Sequence, residues 1–208
     1  MEDLTIDVEG AQLPAYFGMP DAAPGMVVFA HGRGSSRESP RNNAVAEVLR
    51  EAGLGTMLFN LLTEAESGDM QIRSDMELHA QRLLEVSEWL QGRPDTKGRS
   101  LGYFGSSTGA AAALLAASRL GEKIAAVVSR GGRADLVSEH LDKVRAATLL
   151  IVGEHDEQVL DINRKAHEKL RCEKDLAVVA GAGHLFEEPG KLDEVARLTR
   201  NWFLRHLK

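Results

Sequence analysis

The pentapeptide Gly105-Ser106-Ser107-Thr108-Gly109 decides how the rest of this chain is interpreted. It lies between a strand-like run, Leu101–Phe104, and an alanine-rich stretch with helical character. The pattern fits G-x-S-x-G, the nucleophile elbow, in which a serine sits on a tight strand-to-helix turn with its hydroxyl exposed. Larger residues in place of the two glycines would clash with the neighbouring strand and helix. The pattern therefore predicts Ser107 as a nucleophile.

Two alternatives stay open when the pentapeptide is taken alone. A Ser/Gly-rich loop before an alanine-rich helix also fits a weak phosphate-binding loop, because short motifs match by chance. Ser106 is a second hydroxyl in the same turn, but it occupies an x position of the motif.

Strand-like and helix-like segments alternate outward from the elbow. The apolar runs Met26–Ala30, Gly55–Phe59 and Thr148–Val152 are typical of strands buried on both faces. The segments Leu4–Val8 and Gln12–Phe17 favour an antiparallel hairpin at a sheet edge. The order predicts an α/β, three-layer sandwich with a mostly parallel sheet of about eight strands, the first hairpin being antiparallel.

Two polar residues follow later strands in the order that an elbow serine requires. Asp156 comes after the strand that ends near Val152, and His184 comes after the last predicted strand. A carboxylate fixes the tautomer of an imidazole, and the imidazole takes the proton of the serine. Because functional loops gather at the carboxyl ends of parallel strands, we expect Ser107, Asp156 and His184 to meet at one edge.

Other acids and histidines compete for these roles. Asp135 follows the preceding strand, and we interpret it as a helix N-cap. Glu154 and Glu157 flank Asp156 and are interpreted as solvated loop charges. His31 is expected to shape a turn, and His79 lies on an apolar helix face, where a satisfied core histidine is the expectation.

The loop His31–Ser36 follows the first buried strand and is rich in small residues. Such a loop brings backbone N–H groups close to a reaction centre. We predict an oxyanion hole formed by the N–H groups of Arg33 and Thr108. An anion-binding glycine loop is the alternative, although the loop lacks a P-loop lysine and the G-x-G-x-x-G spacing.

Composition bounds the class of protein. The chain has 208 residues and a net charge of −6, with 43% hydrophobic residues and a single cysteine, Cys172. We expect a single domain over residues 1–208 that binds no nucleic acid, because no basic stripe is present. No apolar run approaches the roughly 18 residues of a membrane span. The N-terminus lacks a signal-peptide pattern, so a cytoplasmic location without membrane association is expected.

Metal or cofactor binding has no motif in this sequence. There is no H-E-x-x-H and no cysteine pair, so we predict neither a metal nor a cofactor. A monomer and a homodimer are both compatible with the sequence.

The chain resembles the α/β-hydrolase superfamily, and within it the single-domain dienelactone-hydrolase-like group. The resemblance rests on Val27–Gly32, Gly102–Gly109, Leu149–Gly153 with Asp156, and Gly181–His184. It implies the α/β-hydrolase fold, a serine triad, ester-type chemistry and no cofactor. The namesake enzymes of that group carry a cysteine as nucleophile, where this chain has Ser107. We therefore expect a carboxylic ester rather than dienelactone as substrate.

The predicted function is that of a serine esterase acting on small carboxylic esters through an acyl-enzyme. A thioesterase or lactonase would use the same residues, and a non-catalytic binding protein could share the fold. The interval Arg130–Ala147 has room for one short helix but not for a cap domain. We therefore expect an open site that prefers short acyl chains.

Overall fold

The computed structural model describes all 208 residues, and its centre is one eight-stranded sheet. The strands are β1 Glu2–Val8, β2 Ala11–Gly18, β3 Gly25–Ala30, β4 Gly55–Phe59, β5 Ser100–Ser106, β6 Ile124–Arg130, β7 Ala147–Gly153 and β8 Lys174–Val179. Their order across the sheet is β1-β2-β4-β3-β5-β6-β7-β8. Strand β2 pairs antiparallel with both β1 and β4, and all other pairs are parallel. The predicted α/β architecture with an antiparallel first hairpin is confirmed.

The molecule has six α-helices, five of which cover the two faces of the sheet. They are α1 Pro40–Glu51, α2 Glu64–Ser67, α3 Met76–Gly92, α4 Thr108–Leu120, α5 Glu157–Lys169 and α6 Lys191–His206. Helices α1 and α6 pack on one face, whereas α3, α4 and α5 pack on the other. Neighbouring strand residues serve opposite faces, as Tyr103 packs with the α3–α4 side and Phe104 with the α1–α6 side.

Helix α4 is buried on almost every side. Every residue from 109 to 117 is inaccessible or nearly so, and most are alanine. A helix that is apolar all round belongs in a core, and its small side chains let it lie close to β5. This packing fixes the start of α4 against the end of β5, where the elbow lies.

The connection between β6 and β7 holds one short 3-10 helical segment, Ala134–Lys143, with a kink at Val137. Two further 3-10 turns occur elsewhere, at Ile72–Ser74 and Gly121–Lys123. The prediction that this connection carries no cap domain is confirmed. No helix in the molecule combines the length and apolarity that crossing a bilayer would need.

Candidate active site

Ser107 lies at the junction of β5 and α4 with strained backbone angles, φ 52° and ψ −119°. Its N–H donates to the carbonyl of Arg130 at 3.0 Å, and its own carbonyl accepts from Ala110 at 3.2 Å and Arg133 at 3.1 Å. A non-glycine residue with positive φ persists only where the surroundings over-determine it. These three backbone hydrogen bonds, one to the last residue of β6 and one to the loop that follows it, supply that constraint.

The two glycines of the elbow are packed against backbone atoms. A side chain at Gly105 would overlap Ala110 at the start of α4, and one at Gly109 would overlap the carbonyl groups of Ala30 and His31 at the end of β3. Both glycines therefore allow a close approach of elements, as the sequence led us to expect.

Asp156 and His184 are joined by a hydrogen bond of 2.5 Å between Oδ2 and Nδ1. Asp156 directly precedes α5 after β7, and His184 lies in the loop that follows β8. Only 14% of the Asp156 side chain is exposed, against 38% for His184. A carboxylate on Nδ1 fixes the ring tautomer and leaves Nε2 as the nitrogen that can accept a proton.

The competing acids are engaged elsewhere. Asp135 forms a two-pronged ion pair with Arg133, at 2.7 and 2.8 Å, and this pairing lowers the pKa of its carboxyl. The helical segment after β6 is preceded by Arg133 without a side-chain cap, so the interpretation of Asp135 as an N-cap is wrong. Glu154 accepts the N–H of Gly181 at 2.7 Å and so ties the β7 and β8 loops together.

No hydrogen bond joins Ser107 Oγ to His184 in this structure. The two residues border the same stretch of backbone after β6. Ser107 donates its N–H to the carbonyl of Arg130, and the next residue along the chain is Gly131. A β-carbon placed on Gly131 would lie 3.2 Å from Cε1 of the His184 ring. Nucleophile–base bonds are often long without substrate and shorten in the reacting complex.

The loop after β3 also reaches the elbow. A β-carbon on Gly32 would lie 3.3 Å from Ser107 Cβ, so this glycine brings the loop against the serine. The Arg33 N–H, one of the two predicted oxyanion donors, donates to Thr108 Oγ1 at 2.8 Å. Thr108 is the first residue of α4, so its own N–H has no intrahelical acceptor.

His31 bridges two strand ends and holds this loop in place. Its Nδ1 bonds the carbonyl of Gly32 at 3.0 Å, and its Nε2 accepts the N–H of Leu61 at 3.0 Å. Burial lowers the pKa of His31, which favours the neutral ring that such a bridge needs. The turn-shaping role expected for His31 agrees with these bonds.

A cavity of about 670 Å³ opens beside the loop. One wall is the stretch from His31 to Ser36, and the other carries Asn60, Thr63, Arg73 and His79. The expectation that His79 is a satisfied core histidine is wrong, because it is buried with both ring nitrogens unpartnered. Arg73 and Asn60 were not predicted as site residues, since no local motif marks them.

Arg130 is a second feature that the sequence did not signal. It ends β6 beside the elbow and is 7% exposed, yet its guanidinium has no hydrogen-bond partner and no carboxylate. The group lies 5.8 Å from the ring centre of Phe104. Burial and the nearby Arg41 lower the pKa of Arg130 to about 10.

Comparison with known proteins identifies the family. The model of the dienelactone hydrolase family matches residues 13–205. The crystal structure of a dienelactone hydrolase from Anabaena variabilis superposes with a TM-score of 0.97 at 47% identity, covering 100% of this chain and 98% of that one. Est1E from Butyrivibrio proteoclasticus shares the fold, with a TM-score of 0.85 at 18% identity and 98% coverage of both chains.

Among curated proteins, the chain is 48% identical over 209 residues to a Mycobacterium tuberculosis protein (strain H37Rv) named "Putative phosphoribosyl transferase". The match covers 100% of this chain and 47% of that protein. This chain therefore spans about half the length of the curated relative, whose name describes the longer protein. The family match across nearly the whole chain, together with the fold, shows that this chain is an α/β-hydrolase that belongs to the dienelactone hydrolase family.

Proposed function

We propose that this protein is a serine hydrolase that cleaves small carboxylic esters through an acyl-enzyme on Ser107. The observation that carries the proposal is the strained elbow serine at the same sheet edge as the hydrogen-bonded Asp156–His184 pair. A serine nucleophile and an imidazole oriented by a carboxylate are the two parts that nucleophilic acyl transfer requires.

The reaction follows from these roles. His184 Nε2 takes the proton of Ser107 Oγ while that oxygen attacks the ester carbonyl. Asp156 stabilises the imidazolium formed, and the proton then passes to the departing alcohol oxygen. A water molecule, deprotonated by His184, attacks the acyl-enzyme and releases the carboxylic acid and free Ser107.

The oxyanion would bind the N–H groups of Thr108 and Arg33. The Thr108 N–H stands at the open start of α4, where the helix dipole also favours negative charge. The Arg33 N–H donates to Thr108 Oγ1, so formation of the oxyanion requires that the hydroxyl turns away or shares this donor.

A lactone is the second candidate substrate. The structure from Anabaena variabilis that is 47% identical to this chain is named a dienelactone hydrolase, and a lactone is an internal ester opened by the same steps. Thioesters would use the same residues. A comparison of kcat/KM for short esters, thioesters and lactones on one enzyme preparation distinguishes these classes.

The nucleophile is tested by a matched pair of variants. We expect Ser107→Ala to lower kcat by several orders of magnitude with the fold retained, as loss of a triad member does. Ser106→Ala, one residue away, should keep most of the activity. Labelling with a fluorophosphonate probe should be lost only in Ser107→Ala. Failure of the wild-type protein to label at all would favour a non-catalytic binding protein.

The acid is tested by Asp156→Asn against Asp135→Asn. The first should cut kcat by about 10⁴, by analogy with the loss of the orienting carboxylate in a serine protease. The second breaks only the ion pair with Arg133 and should leave most of kcat. The opposite ranking would assign the orienting acid to the loop after β6.

A further inference from the structure

The loop that carries His184 has little stiffness of its own. Residues 180–184, the His184 loop, follow β8 with the sequence Ala-Gly-Ala-Gly-His, and Gly181 has a positive φ of 68°. Glycine has no side chain to pack and loses more conformational freedom on folding than any other residue. The position of the proposed base therefore depends on the residues outside this loop that bind it.

The loop after β7 supplies most of these contacts. Three consecutive residues of that loop each bond one residue of the His184 loop. Glu154 Oε2 accepts the Gly181 N–H at 2.7 Å, the His155 N–H donates to the Ala182 carbonyl at 2.9 Å, and Asp156 Oδ2 bonds His184 Nδ1 at 2.5 Å. Within residues 181–184, only Gly183 has no hydrogen bond to the loop after β7.

Glu188 bonds this remaining residue. Its Oε1 accepts the Gly183 N–H at 2.9 Å, and Gly183 directly precedes His184. Hydrogen bonds from the backbone N–H groups of Glu188 and Gly183 lower the pKa of the Glu188 carboxyl, so the acceptor is charged at neutral pH. A hydrogen bond to an ionised carboxylate is roughly twice as strong as one between neutral groups.

The start of α6 holds Glu188 in turn. The carbonyl of Glu188 accepts the N–H of Lys191, the first residue of that helix, at 3.0 Å. Helix α6 packs against the sheet through buried apolar side chains, among them Val195 and Phe203. The Glu188 carboxylate therefore connects the His184 loop to a packed helix.

The segment between Gly183 and Glu188 forms a tight turn with His184 at its first corner. Phe186 donates its N–H to the Gly183 carbonyl at 3.4 Å and has a positive φ of 55°. Its side chain is 1% exposed and packs in the core on the α1–α6 side of the sheet. A bulky residue keeps such a backbone conformation only where its surroundings over-determine it. The buried ring fixes one end of the turn, and the Glu188 carboxylate fixes the other.

The ring of His184 depends on this backbone for its placement. Its only hydrogen bond is the one to Asp156, and 38% of the side chain is exposed. A displacement of about 1 Å in a reacting group can lower a rate by about 10²-fold. A residue that holds the peptide before His184 can therefore affect catalysis without contact to the substrate.

We propose that Glu188 is a positioning residue for His184. Its carboxylate holds the Gly183 peptide and thereby sets where the imidazole stands relative to Asp156 and Ser107. This inference rests on the proposed hydrolytic function, and it adds a residue outside the triad on which kcat depends.

Substitutions at position 188 separate the hydrogen bond from the charge. Glu188→Ala removes the acceptor, and Glu188→Asp keeps the charge but withdraws the acceptor by one methylene. We expect both to lower kcat for a short p-nitrophenyl ester by about tenfold to hundredfold. KM should stay close to the wild-type value, because Glu188 binds the loop and not the substrate. Glu188→Gln retains an acceptor oxygen and should keep most of kcat; the replaced Oε2 has no partner to lose.

The neighbouring carboxylate is the matched control. Glu187 bonds Arg41 on α1 at 2.8 Å in a largely exposed ion pair, and such pairs contribute little. Glu187→Ala should therefore have the kcat of the wild type. Equal losses of kcat in Glu188→Gln and Glu188→Ala would assign the effect to the charge and overturn the proposal. A lower melting temperature with unchanged kcat in Glu188→Ala and Glu188→Asp would show a merely structural role and overturn it as well.

Crystal structures of the variants test the positioning without turnover. We expect the Asp156–His184 hydrogen bond to lengthen or break in Glu188→Ala and Glu188→Asp and to keep its length in Glu188→Gln and Glu187→Ala. If Glu188→Ala does not fold, the contrast between Glu188→Asp and Glu188→Gln still decides. An unmoved His184 in Glu188→Asp would contradict the positioning role. A displaced His184 in a protein whose wild type hydrolyses no ester would refute the esterase and leave the positioning role standing.

Discussion

Ser107 adopts a backbone conformation that L-amino acids rarely take, and the residues around it make that conformation the stable one. Two neighbouring glycines admit helix α4 and strand β3 at distances that no side chain would allow. The three hydrogen bonds to the serine backbone come from the first turn of α4, from the end of β6 and from the loop after β6. The elbow is therefore held by packing as well as by its own sequence.

Gly109→Ala tests this packing. The new methyl group would overlap the carbonyl oxygens of Ala30 and His31, which are backbone atoms and cannot rotate away. We expect a loss of about 3 kcal/mol or more in the free energy of unfolding, at or above the usual range for overpacking. Gly92→Ala is the matched control, because nothing lies within 4 Å of its added carbon. Equal effects of the two changes in urea denaturation would contradict the packing argument.

Replacing Arg130 by an apolar residue is expected to stabilise the protein rather than destabilise it. The Nη1 of Arg130 is buried without a partner, and this raises the free energy of the folded state, as the lowered pKa of the group indicates. We expect Arg130→Met to increase the free energy of unfolding by about 1–3 kcal/mol, the usual cost of a buried polar group without a partner.

Arg82→Met is the control for that experiment. Arg82 is equally buried, but it bonds Glu66 at 3.1 Å, Glu85 at 3.3 Å and the carbonyl of Glu9 at 2.8 Å. Removing it leaves two carboxylates without their cation, so a loss of about 3–5 kcal/mol is expected. Thermal and urea unfolding measure the change in the free energy of unfolding for both variants. Destabilisation by both substitutions would mean that Arg130 has a partner in solution.

At the scale of elements, the site consists of loops that follow parallel strands at one sheet edge. The loop after β3 is tied to the loop after β4 by the ring of His31, and the loops after β7 and β8 are tied by Asp156–His184 and Glu154–Gly181. The connection between β6 and β7 adds a short helical segment and nothing that could close over the site. We therefore expect the edge to be open to solvent.

An open, polar edge predicts weak selection for long acyl chains. Each methylene that a lid would bury contributes about 0.8 kcal/mol, close to a fourfold gain in affinity, and no such gain is available here. We expect kcat/KM for p-nitrophenyl esters to be greatest from acetyl to butyryl and not to increase beyond that length. A steady increase to the longest soluble ester would reveal a deep apolar channel.

At the scale of the whole molecule, two buried histidines link stability to pH. The pKa of His79 is lowered to about 4 and that of His31 is also lowered, in both cases chiefly by burial. The unfolded chain therefore takes up protons below about pH 6.5 that the folded protein does not. Their contribution to stability is complete above that pH and is lost as the pH falls toward 4.

The free energy of unfolding should fall between pH 6.5 and 5 by up to about 1.4 kcal/mol per pH unit for each histidine. His79→Leu should reduce this slope relative to the wild-type protein. Urea denaturation at several pH values measures the slope. An unchanged slope in His79→Leu would show that its ring is already protonated or solvated in the folded protein.

Local sequence patterns were sufficient to predict the sheet and the elbow. Buried apolar runs alternating with amphipathic helices predict a parallel sheet, and the Gly105–Gly109 motif predicts a turn of fixed geometry. Chain order also singled out Asp156 and His184, since residues that follow parallel strands share an edge. The structure brings those two side chains to 2.5 Å, and their catalytic role with Ser107 stays a prediction.

The pairing of polar groups could be seen only in the folded structure. The N–H of Arg33 meets the hydroxyl of Thr108, 75 positions away, and Asp135 meets Arg133 instead of capping its helix. Nothing in the sequence around His79 and Arg130 distinguishes them from other helix and strand residues. In the folded structure, both ring nitrogens of His79 and Nη1 of Arg130 are buried without hydrogen-bond partners. Hydrogen bonding depends on atoms within about 3.5 Å, and those atoms come from segments that the fold brings together. A local sequence pattern does not show which distant segments come together. The pairing of these groups and the polar residues of the cavity were therefore found only in the folded structure.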